Sequence, residues 1–300
     1  MHRVVLLLLG LAMVLPGSAA AYDWPVKPFD VQHPVRGSFD DPRRGMSKDG
    51  QPEQSFHSGI DVSVPDGTAV YAVAAGWATL RMSAVVVTTA SKHVYGYWHI
   101  RQAVRNGELV VRHQLLGRVE QGWGHVHLSE SVGGIYLNPL RRGGIAPYED
   151  RTKPMIDDVI LLQPRGGVAS IAGVSGFVDL VADTYDTPPL APLGPWAASR
   201  VTPALLRWRI VGIDGVVVPW RTAIDFRRNL LPSALFDDVY APGTTANRAN
   251  RPGDYRLYLA RGLDTHTFGN GVYVLEVMAA DTRGNTARRA LPFRVFNQSA

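Results

Sequence analysis

The sequence predicts an all-β chain with two domains, and three observations lead there. In the first half, histidines and an aspartate recur two and four residues apart among apolar residues. In the second half, six apolar and often alternating segments are separated by turn residues and keep no helical period. A chain of 300 residues favours two domains, and 46% hydrophobic with 19% charged residues is enough to build cores.

Residues 1–21 read as a secretory signal peptide. Arg3 gives a positive start, Val4 to Leu15 is an apolar run too short to span a bilayer, and Ser18-Ala19-Ala20-Ala21 offers small residues for cleavage before Tyr22. No later stretch is long and apolar enough for a transmembrane helix. The chain has no cysteine, which excludes disulfides, thiolate metal ligands and a lipid-modified N-terminal Cys. Export permits disulfides without demanding them, so a bacterial periplasmic or secreted location fits.

Residues 22–145 carry the chemistry. Four of nine histidines fall in three short motifs: His57 with Asp61 in F-H-S-G-I-D, His99 in Y-G-Y-W-H, and His125 with His127 in G-H-V-H. Two neutral imidazoles and a carboxylate can hold zinc and leave a fourth position for water. The two histidines left over can move protons or stabilise an oxyanion. Residues two or four apart on a strand share a face, so His57, Gly59 and Asp61 point one way, as do His125 and His127. Ile60, Val62 and Val64 alternate with the first group, and Val126 and Leu128 with the second. On a helix His125 and His127 would lie nearly opposite. Gly59 sits between two proposed ligands, where a side chain could obstruct the ion.

In this order the motifs resemble the lysostaphin-type (LytM-type) zinc metallopeptidases, which cut peptide bonds in bacterial peptidoglycan. The family pattern is matched by H-S-G-I-D at His57 to Asp61, G-T-A-V-Y-A-V-A-A-G at Gly67 to Gly76, Y-W-H at Tyr97 to His99, and H-V-H at His125 to His127. Gln114 to Gly117 matches the turn before the last motif, and Gly37-Ser38-Phe39 with Pro42-Arg43 resembles the family's opening strand. The resemblance runs from Pro34 to Pro139. It implies an antiparallel-sheet LytM-like domain, His57, Asp61 and His127 on zinc, and His99 and His125 as the two catalytic histidines off the metal. One would serve as general base and acid and the other as oxyanion donor, with the division left open. No separate organic cofactor is implied. Ser91 to His93 departs from the family's hairpin, and Leu128-Ser129-Glu130 lacks an aromatic, so the loops shaping the groove differ more than the metal positions.

Arg141 to Pro154 is rich in Arg, Gly and Pro and reads as a connection; the linker is placed at 146–160 and the second domain at 161–300. Strands are predicted at Gly176 to Ala182, Ala204 to Val211, Gly215 to Pro219, Tyr255 to Ala260, Val272 to Ala279 and Leu291 to Phe296, with turns at Asp214-Gly215 and Asp281 to Asn285. This pattern predicts an immunoglobulin-like β-sandwich, and the run from Gly271 to Asn285 resembles the closing strands of such modules. Phe226 to Asn250 is irregular and mixes Leu, Phe and Tyr, which suits a cover over the sandwich or a contact with the first domain.

The formal charge of +5 is modest and the arginines are scattered in pairs, which argues against a nucleic-acid partner. The expected function is a secreted zinc endopeptidase acting on peptidoglycan peptides. The alternatives are a catalytically silent envelope binding or regulatory protein that keeps the fold, and a zinc peptidase acting on proteins.

Overall fold

The computed structural model describes residues 21–46, 52–164 and 166–297. The signal peptide expected over 1–21 therefore lies outside the described residues apart from Ala21. Among the described residues no helix is long and apolar enough to cross a membrane.

The first unit contains β1 (Val35–Gly37), β2 (Pro42–Met46), β3 (Pro52–Phe56), β4 (Gly59–Ser63), β5 (Ala69–Tyr71), β6 (Gly76–Arg81), β7 (Ala84–Thr88), β8 (His93–Trp98), β9 (Ile100–Gln102), β10 (Leu109–Val110), β11 (Leu115–Val119), β12 (His125–Val132) and β13 (Ile135–Leu137). Its main sheet runs β1-β4-β12-β8-β7-β6-β10, with β13 also paired to β12. A small sheet, β5-β11-β9, lies beside it. Ile60, Val62, Tyr97, Val126 and Leu128 of the main sheet share one core with Val70, Leu116 and Val119 of the small one. The period-two pattern that places Asp61 and the H-V-H pair on one face sends Ile60, Val62 and Val126 into this core.

The second unit contains β14 (Met155–Leu162), β15 (Phe177–Tyr185), β16 (Leu205–Gly212), β17 (Gly215–Asp225), β18 (Arg256–Asp264), β19 (Gly271–Ala280) and β20 (Thr286–Val295). They form two antiparallel sheets, β14-β15-β18 and β17-β16-β19-β20, which close over a single core. The six expected strands are all present, although most run longer than the sequence suggests. The addition is β14, which starts at Met155 inside the stretch 146–160 read as linker. Its register shifts between Ile156 and Asp158, so the apolar residues change phase in mid-strand and the alternation breaks. That break hid the strand.

The two units interlock. Phe56, at the end of β3, belongs to the core of the second unit and packs against Phe226, Phe236 and Tyr240 with ring centroids 6.1, 5.4 and 5.9 Å away. The irregular stretch 226–250 thus does both things its composition suits. It covers the sandwich core, and it also bonds the first unit, where the Tyr240 hydroxyl donates to the Asp40 carbonyl at 2.6 Å. The Thr202 amide donates to Asp41 Oδ1 at 2.9 Å, and Arg283 donates to the carbonyls of Leu140 and Tyr148.

Buried carboxyls line this junction. Burial pushes Asp40 up to about 8, despite a hydrogen bond from the Leu231 amide, and raises Asp186 to about 8 with help from Asp150. A carboxyl raised in the folded state keeps its proton where the unfolded chain, near 3.8, has lost it. Its contribution is therefore fully present below about pH 4 and is lost progressively as pH rises to about 8. Asp40 sits at φ 63°, which Asn also tolerates, and its Oδ2 has no partner among the described residues. Asp40→Asn should flatten the pH dependence and raise the melting temperature at pH 8 by about 2–4 °C per kcal/mol recovered. Thermal melts from pH 4 to 8 that run parallel for wild type and variant would exclude this account.

Candidate metal centre

The β4–β12 register builds the site. His127 on β12 lies opposite Asp61 on β4 and, across its other edge, opposite Trp98 on β8. His99 follows Trp98 at the turn into β9, with φ 68°, a left-handed conformation uncommon for a side-chain-bearing residue. His125 is two residues before His127 on the same face. His57 corrects the expectation that it extends β4: it lies in the connection between β3 and β4, outside the strand. Backbone bonds hold it there, since its amide donates to the Asp41 carbonyl and its carbonyl accepts from the Asp40 amide, both at 2.9 Å.

Three ligand-type atoms converge. His57 Nε2 lies 2.7 Å from His127 Nδ1 and 3.1 Å from Asp61 Oδ1, and His127 Nδ1 lies 3.2 Å from the same oxygen. Ligand atoms held about 2.0–2.1 Å from a tetrahedral zinc would be about 3.3 Å apart, close to two of these separations. The tautomer of His57 is set by its other nitrogen: the Ser38 carbonyl, 2.7 Å from Nδ1, can only accept, so Nδ1 carries the proton and Nε2 presents a lone pair. Burial, with Arg43 nearby, lowers His57 to about 4, so it is neutral at pH 7. Burial alone would raise the Asp61 carboxyl, but His57 and Arg43 outweigh it and hold it well below its ordinary range. Arg43 donates to Asp61 Oδ2 at 2.7 Å, leaving Oδ1 toward the imidazoles. An ionised carboxylate, the neutral His57 imidazole and the His127 ring aimed at one point make a donor set that fits zinc.

The two other histidines flank this point. His125 Nε2 is 3.5 Å from Asp61 Oδ1. Its Nδ1 lies between the Trp123 carbonyl at 2.8 Å, which can only accept, and an Arg36 nitrogen at 2.6 Å, which can only donate. His99 stacks on Trp123 with centroids 3.6 Å apart and planes within 17°, and lies 4.7 Å from His125 by ring centroid. Its Nδ1 is buried without a partner among the described residues. Burial, reinforced by His125, pushes His99 down to about 3, and burial also lowers His125. Both rings are neutral at pH 7 and able to accept a proton. The Trp123 loop is itself pinned, because Asp66 accepts from the Gly122 and Gly124 amides at 2.7 Å each.

All five histidine and aspartate positions singled out in the sequence thus meet in one place. Arg36, Trp123 and, from the second unit, Trp196 were not singled out. The Arg36 guanidinium lies 4.1 Å over the Trp196 ring, a contact with no local motif to announce it. Asp150, Asp186 and Asp281 form a second acidic group, but Asp281 Oδ1 accepts from the amides of Arg283, Gly284 and Asn285, and Asp150 Oδ1 from Thr152, so these oxygens cap turns.

No family model and no curated protein matches the sequence. Among solved structures the chain is similar to the catalytic domain of lysostaphin from Staphylococcus simulans, with 18% identity and TM-score 0.29 over 34% of this chain and 86% of that one. It is similar to a zinc-containing peptidase from Vibrio cholerae, with 23% identity and TM-score 0.30 over 38% of this chain and 37% of that one. It is also similar to the SpoIIQ–SpoIIIAH pore-forming complex, with 19% identity and TM-score 0.34 over 41% of this chain and 90% of that one. These likenesses are low and partial. The lysostaphin-type resemblance therefore stands on the motifs and on the geometry of the site.

The packing around Gly59 itself requires a glycine. A Cβ there would strike the Leu128 carbonyl and approach the His127 ring within 2.9 Å. Glycine lets β4 and β12 close up with the imidazole over the backbone. Gly59→Ala should cost about 1–3 kcal/mol of stability by overpacking and should weaken zinc binding with it. Denaturant melts and a zinc titration that match wild type would rule this out.

Proposed function

We propose that this chain is a zinc-dependent endopeptidase of the bacterial envelope that hydrolyses peptide bonds of peptidoglycan, with an immunoglobulin-like sandwich as its second unit. The observation that carries the reading is the convergence of His57, Asp61 and His127 within 2.7–3.2 Å, with two further neutral imidazoles beside them. The lysostaphin-type resemblance supports the substrate class. The seven strands in sheets of three and four support the immunoglobulin-like reading of residues from about 155 onward.

His57, Asp61 and His127 are the residues that would hold zinc. When bound, zinc supplies Lewis acidity, polarising a carbonyl and lowering the pKa of water to about 7. The rest falls to the side chains. A neutral imidazole with a free lone pair takes the proton of the attacking water and returns it to the leaving amine; a protonated ring nitrogen donates to the carbonyl oxygen as it gains charge. For His125 the choice turns on its tautomer. With the proton on Nδ1, toward the Trp123 carbonyl, Nε2 is a base facing the centre; with Nδ1 accepting from Arg36, Nε2 is a donor. His99, stacked on Trp123, supplies the complementary function. No serine or cysteine nucleophile is needed, so no acyl-enzyme forms.

The decisive experiment is mass spectrometry of muropeptides after incubating purified sacculi with the zinc-loaded chain, with His99→Ala as control. New peptide ends absent from the control are the expected outcome. A zinc-loaded chain that releases none would shift the reading to a silent envelope protein or to a protein substrate.

The site assignments separate by metal content. His127→Ala should lose most of its zinc, whereas His125→Ala should keep it and turn over about 100-fold more slowly or worse. Metal analysis giving full occupancy in His127→Ala would overturn the ligand assignment, and full activity in His125→Ala would make that residue structural.

A further inference from the structure

The second unit walls the groove that leads to the metal centre. A cavity of about 370 Å³ opens onto Asp61 between β2 on one side and, on the other, Trp196 with the loop 244–248 of the sandwich. Such a volume lies within the range of small-ligand sites. The loop is built rather than slack. Asn247 donates to the Arg36 and Arg200 carbonyls and accepts from the Arg200 and Gly253 amides. Arg248 and Arg251 exchange two backbone hydrogen bonds, at 2.9 and 3.0 Å.

Four arginines line this cavity, and Asp61 is its one carboxylate. Arg43 is committed to Asp61, and Arg36 to His125 and the Trp196 ring. Arg44 and Arg248 are exposed, and their side chains have no carboxylate partner or hydrogen bond among the described residues. Asp66, the other acid near Arg36, is occupied by the Gly122 and Gly124 amides. Beyond Trp196 lies a second cavity, of about 390 Å³, walled by apolar side chains such as Val64, Trp123, Leu193 and Pro195. The groove is therefore polarised, with cations that have no partner among the described residues on one side of the Arg36–Trp196 contact, and a mainly apolar surface that includes Asp66 on the other.

We infer that the groove between β2 and the sandwich is a subsite for a peptide carboxylate, held by Arg44 of the first unit and Arg248 of the second. This rests on the endopeptidase reading for what is cut, but not for what is bound. Guanidinium groups match carboxylates in planar, often bidentate geometry, and a cleft lined by one sign of charge concentrates the opposite sign. The substrate class narrows to a peptide that places a free carboxylate in the cavity beside Asp61. The sandwich then takes part in substrate choice.

The test is co-sedimentation of the full-length mature chain with two preparations of sacculi, one native and one with its carboxyl groups amidated. Native sacculi should bind at least about tenfold more tightly, since an Arg–carboxylate pair is among the stronger polar contacts. Arg44→Gln with Arg248→Gln should abolish most of that preference. Arg221→Gln with Arg294→Gln removes the same charge from exposed positions elsewhere on the sandwich and should leave the preference intact. Equal binding to both preparations, a preference that survives in the groove variant, or an equal loss in the control variant would each overturn the subsite. Sacculi that are cut without carboxylate-dependent binding would remove the subsite and leave the endopeptidase. Carboxylate-dependent binding through Arg44 and Arg248 without new peptide ends would do the reverse.

Discussion

The antiparallel pairing of β4 with β12 is the constraint on which the site depends. It sets Asp61 directly opposite His127. Because side chains alternate, a slip of one residue would turn Asp61 toward the core and bring Ile60 or Val62 to the metal face. The slip is prevented by burial, since Ile60, Val62, Val126 and Leu128 are fully enclosed. The hydrophobic face therefore fixes the register, and the register fixes the donor set. The close approach of the strands at Gly59 is part of the same arrangement, because the His127 ring occupies the space a side chain would take.

Much of this was legible in the sequence because period two is a local signal. The H-V-H pair, Asp61 and the intervening valines and isoleucine announce a strand and its faces at once. His57 was legible as a residue but not as a position, since its placement depends on backbone bonds to Asp40 and Asp41 rather than on continuation of β4. In the second unit, strands with clean alternation and tight turns were readable. β14 was not, because the register shift after Ile156 scrambles its pattern. Least legible were contacts that bring distant segments together. Arg36 meets Trp196, and Asn247 meets the Arg36 carbonyl, across most of the chain. Nothing in the local sequence of either partner marks the other.

Those long-range contacts change what the second unit is for. The shared packing of Phe56 with Phe226, Phe236 and Tyr240 makes the β2–β3 hairpin part of both units. That hairpin also carries Arg43, which orients Asp61. A path of direct contacts thus runs from the sandwich core through β2 and β3 to the carboxylate of the metal centre. Truncating a buried phenylalanine commonly costs about 3–5 kcal/mol, so a defect at Phe56 would be felt both in the sandwich core and beside the metal centre.

Electrostatics then divides the site into two regimes. At the centre, the buried His57 imidazole is kept neutral and Asp61 is kept ionised, so a carboxylate charge faces a divalent cation. Around it, arginines dominate. A bound dication adds to that positive field, so the groove with metal in place would attract anionic peptide more strongly than without it. Arg43 links the two regimes, because it is paired with Asp61, while Arg44 next to it has no carboxylate partner among the described residues. The same positive field disfavours protonation of His99 and His125, to which Arg36 contributes directly. A groove that draws in carboxylates therefore also helps keep its proton acceptors empty. Arg36, which lines this groove, is the guanidinium that joins the two effects.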